Sequence, residues 1–513
     1  MTILDDAPLG VADKLRQLTG VGPDGPELLP LDAGEQYRFS FAMESCIGCH
    51  SCEVACAEQN DTPIDVAWRK VGELESGAFP MTRRFNLSMA CNHCLEPSCL
   101  SGCPTNAYVK LDNGVVRHDA DECIGCQYCI WNCPYEVPVF DKVRKIVSKC
   151  DMCLPRLENS QKPACVDACP THAIGVERVD VAAWRADHAA ADAPSLPPSE
   201  LTLSTTRLIL PPDLARDAVA ASDHMVRPEH PHWPLIALTL LTQLALGTVV
   251  ATVVAEMAGG RRLASGAVGA AAAGGVALLA SLLHLGRPTR ALKALRNLRT
   301  SWLSREVALL SGFAGLSLLY AVAWERWIDV LPRLALGIAA VGAGVAGIYA
   351  SGRLYLVPSR PVWNSQRTLV AFFATAMAVG PVFALLTLDR GRLDTALTLA
   401  LIAVAVTGTL VQLGVQTHLL ATVRARPDRQ HQGTAVLLLT RFRGLLGARV
   451  AAAVIGVALL AWTPSEPLAG AAATGRLIVA LAVLAAGEFL GRYLFYVTVV
   501  PYRVAGPFFS HRS

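Results

Sequence analysis

The sixteen cysteines of this 513-residue chain fall into four groups of four within residues 46–169. Each group ends in two cysteines separated by three residues, and in three groups a proline follows the last cysteine. The groups are Cys46, Cys49, Cys52 and Cys56; Cys91, Cys94, Cys99 and Cys103; Cys123, Cys126, Cys129 and Cys133; and Cys150, Cys153, Cys165 and Cys169. In groups of this spacing, three close cysteines hold one iron–sulfur cube and the fourth reaches a neighbouring cube. The spacing therefore predicts four [4Fe–4S] clusters, all sixteen cysteines serving as metal ligands.

Two other uses of cysteine fit this pattern poorly. Structural zinc sites usually place two short ligand pairs on either side of a spacer, whereas the first and third groups pack four cysteines into one short run. Disulfides are typical of small secreted domains, and they do not suit a chain with a long apolar half. Neither alternative displaces the iron–sulfur interpretation.

The residues around the cysteines predict the fold of the cluster region. The runs YRFSFAME and GVVRHDADE, which precede the first and third groups, alternate apolar and polar residues as short strands do. We predict an α+β tandem ferredoxin-like domain over residues 37–180, preceded by an N-terminal arm over 1–36. Residues 181–232 are rich in alanine, proline and aspartate, which predicts an extended linker that drapes over the cluster domain.

From Trp233 onward the chain is apolar in blocks near the ~20 residues that a membrane-spanning helix requires. These blocks predict an all-α transmembrane bundle of eight helices within residues 233–513. The expected spans are 233–256, 266–285, 304–324, 333–355, 368–388, 395–422, 447–463 and 476–499. An interfacial helix is a further possibility ahead of the seventh span.

Arginine and lysine placement predicts the orientation of the bundle, because cytoplasmic connections carry an excess of both. The connection after the second span is rich in them, with Arg287, Arg290, Lys293, Arg296, Arg299 and Arg305. This side of the bundle is also the side of the cluster domain, so we predict a multi-pass protein of the cytoplasmic membrane with its clusters in the cytoplasm. The formal net charge of +3 gives no indication of nucleic-acid binding.

The cysteine region resembles the electron-transfer subunit of the dimethyl sulfoxide reductase family of molybdoenzymes. The runs that carry the likeness are YRFSFAMESCIGCHSCEVAC, LSMACNHCLEPSCLSGCP, CIGCQYCIWNCPY and KCDMCLPRLENSQKPACVDACP. The later runs HPHWPLIALTLLTQLALG and SLLHLGRPTRALKALRNLRTSWLSREVALL are similar to the membrane anchor of the same family. The resemblance implies a fusion of two subunits that are usually separate chains.

The family's pairing of cysteine groups, first with fourth and second with third, implies the ligands of each cluster. The four implied sets are Cys46, Cys49, Cys52 and Cys169; Cys150, Cys153, Cys165 and Cys56; Cys91, Cys94, Cys99 and Cys133; and Cys123, Cys126, Cys129 and Cys103. The nitrate reductase branch has a tryptophan in place of one cysteine of the third group and a three-iron cluster. Because Cys126 is present here, the resemblance implies four-iron clusters throughout.

The resemblance also implies a menaquinol site at His284, which closes the second span, and Glu306, which opens the third. An ionisable residue at the end of a span is costly unless it is used or paired, and quinone chemistry needs a hydrogen-bond donor and a proton carrier. Capping or interfacial contacts of His284, and an ion pair of Glu306 with Arg305 or Arg287, are the structural alternatives. His418 is a weaker candidate.

These features predict a fused electron-transfer and quinone-reacting anchor subunit of a membrane-bound molybdopterin oxidoreductase used in anaerobic respiration. Its substrate would react on a separate molybdopterin catalytic subunit, and it would exchange electrons with the quinone pool. Reduction of an S- or N-oxide is the first expectation. The same module run in reverse would oxidise sulfite or formate, as in cytoplasm-facing sulfite dehydrogenases. A ferredoxin-coupled transporter is the distant alternative, since the spans hold few ionisable residues and most lie near their ends.

Overall fold

The structure of the chain is a computed structural model that describes residues 28, 30–224, 226–259, 263–326, 329–388, 393–463, 470–504 and 506. The chain forms two units, one of residues 1–225 with 502–513 and one of residues 226–501. Most of the expected N-terminal arm lies outside the described residues. The first unit holds all sixteen cysteines and the second holds all the apolar helices.

Ten short strands lie in the part of the first unit that the structure describes. Their bounds are β1 Glu35–Ala42, β2 Lys70–Ser76, β3 Arg83–Met89, β4 Tyr108–Lys110, β5 Val116–His118, β6 Val139–Asp141, β7 Ile146–Ser148, β8 Ile174–Asp180, β9 Arg207–Ile209 and β10 Val219–Ala220. Strand β1 lies between β8 and β9, strand β2 lies between β10 and β3, and β4–β5 and β6–β7 are hairpins. Phe39 and Phe41 of β1 belong to the hydrophobic core of the cluster region, and Arg38 and Ser40 on the opposite face are also buried, so β1 is covered on both faces.

Among the residues described in this unit, six short α-helices lie between the strands. They are α1 Ser51–Gln59, α2 Ser98–Gly102, α3 Tyr128–Asn132, α4 Leu154–Glu158, α5 Ala164–Asp167 and α6 Val181–Asp187. The cysteine loops that precede α1 and α3 share one backbone shape, because Gly48 and Gly125 have φ of 68° and 70° and His50 and Gln127 have φ of 62° and 61°. These left-handed residues tighten each C-I-G-C loop and start the helix that carries the next cysteine.

The segment between the cluster region and the first membrane helix is a structural part of the first unit. Strand β9 pairs in parallel with β1, and β10 pairs antiparallel with β2. The Trp184 indole of α6 donates to the Ser204 carbonyl (2.9 Å). The expected extended linker over 181–232 therefore does cover the cluster region, but it does so by completing two sheets.

Within its described residues, the second unit contains eight helices that are long and apolar enough to cross a membrane. They are α7 Trp233–Met257, α8 Ala264–Leu282, α9 Trp302–Glu325, α10 Val330–Leu354, α11 Gln366–Thr387, α12 Thr395–Ala425, α14 Arg443–Trp462 and α15 Ala471–Val497. A shorter helix, α13 Arg429–Val436, and a π-helical turn at Leu437–Arg441 precede α14. The eight apolar helices thus lie where the spans are expected, with boundaries shifted by a few residues, and a short helix precedes the seventh.

Helix α7 packs against four other membrane helices, namely α8, α10, α11 and α15. Its closest approach is to α11, where a methyl group added to Gly380 would overlap the Gly247 Cα. Small residues permit such close backbone contact between helices in lipid. This packing positions the helix ends that carry His284, Glu306 and their neighbours.

Candidate functional site

The first and last cysteine groups come together in the first unit. Cys46, Cys49, Cys52 and Cys169 line one small cavity. Cys56 and Cys153 lie near Cys165, and Cys150 lies near both Cys56 and Cys165. These are the first two ligand sets that the family resemblance implies.

The second and third groups are gathered in the same manner. Cys91, Cys94, Cys99 and Cys133 line a cavity of about 30 Å³. Cys103, Cys123 and Cys126 surround Cys129 closely enough to interact with it electrostatically. Each of the four implied sets is therefore a spatial neighbourhood, although its members are distant in sequence.

Backbone amides point at sulfurs in three of the four neighbourhoods, two of these sulfurs being in the set around Cys129. The amides of Met152, Ala173, Ala107 and Gly125 donate to the Sγ atoms of Cys150, Cys169, Cys103 and Cys123, at 3.3, 3.2, 3.3 and 3.4 Å. Amide donors stabilise a thiolate more than a thiol, because the donor meets a negative charge. The loops are thus arranged for anionic sulfur.

Burial of the cysteines is a second indication that they bind iron. It raises the pKa of the Cys56, Cys94 and Cys126 thiols to about 12, with neighbouring cysteines adding to the shift. Thiols with so high a pKa are neutral at pH 7 by themselves, so they lose their protons only when iron takes their place. Sets of four such cysteines fit the corners of an iron–sulfur cube.

Arg69 is a buried cation with too few partners in the protein. Its side chain is 2% exposed, and its Nη1 donates to Ser88 Oγ at 3.2 Å. Its Nε and Nη2 atoms are buried and have no hydrogen-bond partner in the described part of the chain. The guanidinium instead faces the sulfurs of Cys52, Cys165, Cys150 and Cys56. A buried charge of this kind requires an opposite charge, which cluster-bound thiolates supply.

Lys149 is a second buried cation that lies near cysteine sulfurs. It is 3% exposed, and its Nζ donates to the carbonyls of Val116 and Cys150. Burial lowers the pKa of this amine, but the nearby sulfurs of Cys91, Cys99 and Cys150 outweigh burial and raise it. The ammonium therefore stays charged between two cysteine neighbourhoods.

Among the histidines near the cysteines, His93 is fully buried. Its Nδ1 accepts from the Val116 amide (3.0 Å) and its Nε2 lies 3.9 Å from Cys150 Sγ. Burial, together with nearby Lys149, holds the pKa of His93 well below its usual range. The neutral ring is consistent with a hydrogen-bonding role.

In the second unit, Glu306 occupies the first turns of α9 and is 4% exposed. Its carboxyl meets the Ser351 hydroxyl of α10 and has no ion pair within the described residues. Arg305 points away, since it donates to the carbonyls of Leu298 and Arg299 at 3.0 and 2.6 Å and stacks over Trp302. The carboxyl is therefore buried without the Arg305 ion pair that was the simplest structural explanation.

His284 lies in the turn that follows α8 and is half-buried. Its Nδ1 is buried and near the Ser281 carbonyl, without the geometry of a hydrogen bond. No hydrogen bond joins it to Glu306 in the described part of the unit. His232, the residue before α7, interacts with His284 electrostatically, so two imidazoles lie near this end of the bundle.

Two tyrosines that sequence reasoning did not select complete the site. The hydroxyls of Tyr355, after α10, and Tyr496, in α15, are hydrogen-bonded at 2.5 Å. Both hydroxyls are within electrostatic reach of Glu306, and the Tyr496 ring packs 5.8 Å from that of His232. Aromatic residues are common at the ends of membrane helices, and this background hides the pair in the sequence.

His418, the weaker candidate, is an exposed residue of α12. Its backbone carbonyl accepts a long hydrogen bond from Arg367 (3.5 Å). The structure does not bring it to Glu306 or His284 by any described contact, so it stands apart from the site.

A unit of gathered cysteines with buried cations, joined in one polypeptide to a bundle of apolar helices, defines a membrane-bound iron–sulfur electron-transfer protein. The DMSO reductase anchor subunit (DmsC) family matches residues 227–497, and the 4Fe-4S dicluster domain matches residues 83–178. The chain belongs to the DMSO reductase anchor subunit family and carries the iron–sulfur subunit of the same kind of complex in front of it.

Individual proteins of this kind are similar to part of the chain. Over 177 residues the chain is 37% identical to an anaerobic dimethyl sulfoxide reductase chain of Haemophilus influenzae, covering 33% of this chain and 86% of that protein. It is 35% identical over 153 residues to the protein of the same name from Escherichia coli, covering 28% and 75%. It is 39% identical over 160 residues to a sulfite dehydrogenase subunit of Allochromatium vinosum, covering 27% and 67%.

Proposed function

We propose that this chain carries electrons between the quinone pool and a separate molybdopterin catalytic subunit, through four [4Fe–4S] clusters on the sixteen cysteines. The observation that carries the proposal is Glu306, a carboxyl buried at a span end with no counter-charge among the described residues, beside two hydrogen-bonded tyrosines. Such a group is costly in a membrane protein unless it is used. The proposal of a separate catalytic subunit is supported by the relatives, which are named as one chain of a dimethyl sulfoxide reductase and one subunit of a sulfite dehydrogenase.

When bound, the clusters would supply one-electron carriers at four successive positions. The protein's own contribution there is to hold the sulfurs as thiolates and to set the surrounding charge. The four amide donors described above favour the anionic sulfur, and Arg69 and Lys149 place two fixed positive charges among the cysteine sets. Positive charge favours the reduced, more negative state of a cluster, so both residues would raise reduction potentials.

At the membrane site, oxidation of a quinol to a quinone releases two electrons and two protons. We assign Glu306 as the acceptor of a proton from one quinol hydroxyl and His284 as the hydrogen-bond partner of the opposite hydroxyl and the acceptor of its proton. A histidine has the pKa range that suits such exchange. The Tyr355–Tyr496 pair would fix the walls of the site and keep the carboxyl in place.

The direction of electron flow has two candidates. Quinol-driven reduction of an S- or N-oxide follows the relatives named as anaerobic dimethyl sulfoxide reductase. Quinone reduction driven by sulfite oxidation is favoured by the identity with the sulfite dehydrogenase relative and by the excess of arginine on the side of the cluster unit, which would put that unit in the cytoplasm. The identity of the large subunit that co-purifies with the chain decides between them.

Rapid mixing of the anaerobic complex with a menaquinol analogue tests the site directly, with EPR of the reduced clusters as the readout. We expect cluster reduction in the wild type and a loss of about 100-fold or more in Glu306→Gln and His284→Asn, the range for a removed proton-transfer group. Glu325→Gln, at the exposed far end of α9, and His418→Asn are matched controls. Unchanged rates in both site variants would contradict the assignment.

A further inference from the structure

A second polar feature of the bundle adjoins the proposed quinone site, because Trp363 lines it and also packs against Tyr355 and Tyr496. A cavity of about 90 Å³ opens between α11, α12, α14 and α15. Its charged and amide side chains are those of Arg367, Gln412, Gln416, Arg449, Glu488 and Arg492. Glu488 and Arg492 both lie in α15, and each bonds to residues of other helices rather than to the other.

The single carboxylate of the cavity is already satisfied by neutral donors. Thr375 Oγ1 and Gln412 Nε2 donate to Glu488 Oε2 at 2.5 and 3.0 Å. Arg449 donates to the side-chain oxygens of Gln412 and Gln416, and Arg492 Nη2 donates to Gln243 Oε1 at 2.9 Å. None of the three arginines that line the cavity bonds to Glu488. Their positive charges are therefore not neutralised by direct contact.

Two buried donors in the same cavity have no acceptor. Gln416 is 4% exposed and Arg492 is 5% exposed, and both line the cavity. Gln416 Nε2 and Arg492 Nε are buried and make no hydrogen bond within the described part of the chain. Buried donors are almost always satisfied, so the site requires a ligand that presents acceptor oxygens.

The charge of the cavity lining indicates which kind of acceptor the cavity binds. Arginine does not lose its proton in proteins, so the lining carries three positive charges against the one carboxylate of Glu488. A neutral carbonyl, such as that of a quinone, would satisfy the two donors but would leave this excess charge in the membrane. An anionic oxygen would accept from the two donors and would also balance the excess positive charge. Basic pockets between membrane helices bind lipid head groups for this reason.

The apolar part of the lining suits a lipid chain. Leu419, Leu438 and Leu494 border the cavity and belong to one hydrophobic cluster. Arg367, in the first turn of α11, marks the end of the span, where a head group lies. We propose that this cavity binds the phosphate of an anionic membrane phospholipid, with Arg449, Arg492 and Gln416 as its ligands.

The test uses the full chain in its complex, purified in mild detergent, with native mass spectrometry of retained lipid as the first readout. We expect wild type to retain a phospholipid, and Arg449→Gln and Gln416→Leu to retain it at least about tenfold less, since a hydrogen bond to a charged group is lost. Arg441→Gln is the matched control, because Arg441 is exposed and lies outside the cavity lining. Gln416→Leu removes the donor without removing a charge, so it serves where Arg449→Gln fails to fold.

Thermal unfolding after delipidation is the second readout. Vesicle lipid containing phosphatidylglycerol should raise the melting temperature of wild type and of Arg441→Gln, and phosphatidylcholine alone should not. Equal retention in all variants, equal stabilisation by both lipids, or a retained quinone in place of a phospholipid would overturn the proposal. Because neither readout involves turnover, the result is independent of the proposed electron-transfer function.

Discussion

The hydroxyls of Tyr355 and Tyr496 are hydrogen-bonded at 2.5 Å across the ends of α10 and α15. The two residues are 141 positions apart in the chain, and their contact joins two helices beside Glu306. Trp363 packs edge-on against both rings, at 5.3 and 6.0 Å, so the pair is held in place from the side. This contact is the most specific structural support for the proposed quinone site.

Tyr355→Phe removes one hydroxyl of this pair and keeps the ring. We expect quinol-driven cluster reduction to fall about fivefold, the effect of a lost positioning hydrogen bond of about 1 kcal/mol, with the stability of the complex little changed. Tyr349→Phe, a half-exposed tyrosine of α10, is the control and should keep the wild-type rate. A wild-type rate in Tyr355→Phe would show that the pair has no part in the reaction.

Arg69→Met removes the buried positive charge and keeps much of the side-chain volume. A cluster gains negative charge on reduction, so we expect the potentials of the clusters near Cys52 and Cys56 to fall, by on the order of 100 mV for a charge at ~6 Å and an effective dielectric of ~20. EPR-monitored redox titration measures the shift. Arg84→Met, an exposed arginine beside Glu73 and Glu75, should leave every potential unchanged, and an unshifted titration of Arg69→Met would rule out the electrostatic role.

Cys126→Ser tests the ligand set around Cys129. If four clusters are present, wild type holds about 16 iron atoms. We expect the variant to contain fewer iron atoms, between about 12 and 15, and its EPR spectrum to change for one cluster only. Iron analysis together with EPR decides the result. An iron content equal to wild type with an unchanged spectrum would remove Cys126 from the ligands.

Gly380→Ala tests the close contact between α7 and α11. The added methyl group would overlap the Gly247 Cα, and neither backbone can move away cheaply, so we expect a loss of about 1–3 kcal/mol in the free energy of unfolding. Denaturation in detergent micelles measures this loss. Gly312→Ala is the control, since nothing lies within 4 Å of a methyl group there. Equal stability of the two variants would contradict the packing described here.

The cluster region and the membrane helices were predictable because the patterns that mark them are local. Iron–sulfur loops need cysteines at short, fixed spacings, and a span needs about 20 consecutive apolar residues. The eight helices and the helix ahead of the seventh span followed from hydropathy alone. The ligand sets came from the family resemblance, and the fold gathers the same cysteines, but the spacing by itself does not say which fourth cysteine joins which three.

By itself the sequence determined the class of this protein: cysteine loops suited to iron–sulfur clusters, followed by eight membrane helices, with His284 and Glu306 at span ends. Only the tertiary structure decided which buried polar groups have partners. It turns Arg305 away from Glu306, places Tyr355 against Tyr496, and leaves Gln416 and Arg492 with donors facing a cavity. The physical reason is that partners of buried polar groups come from helices distant in sequence, and their contacts depend on how those helices pack.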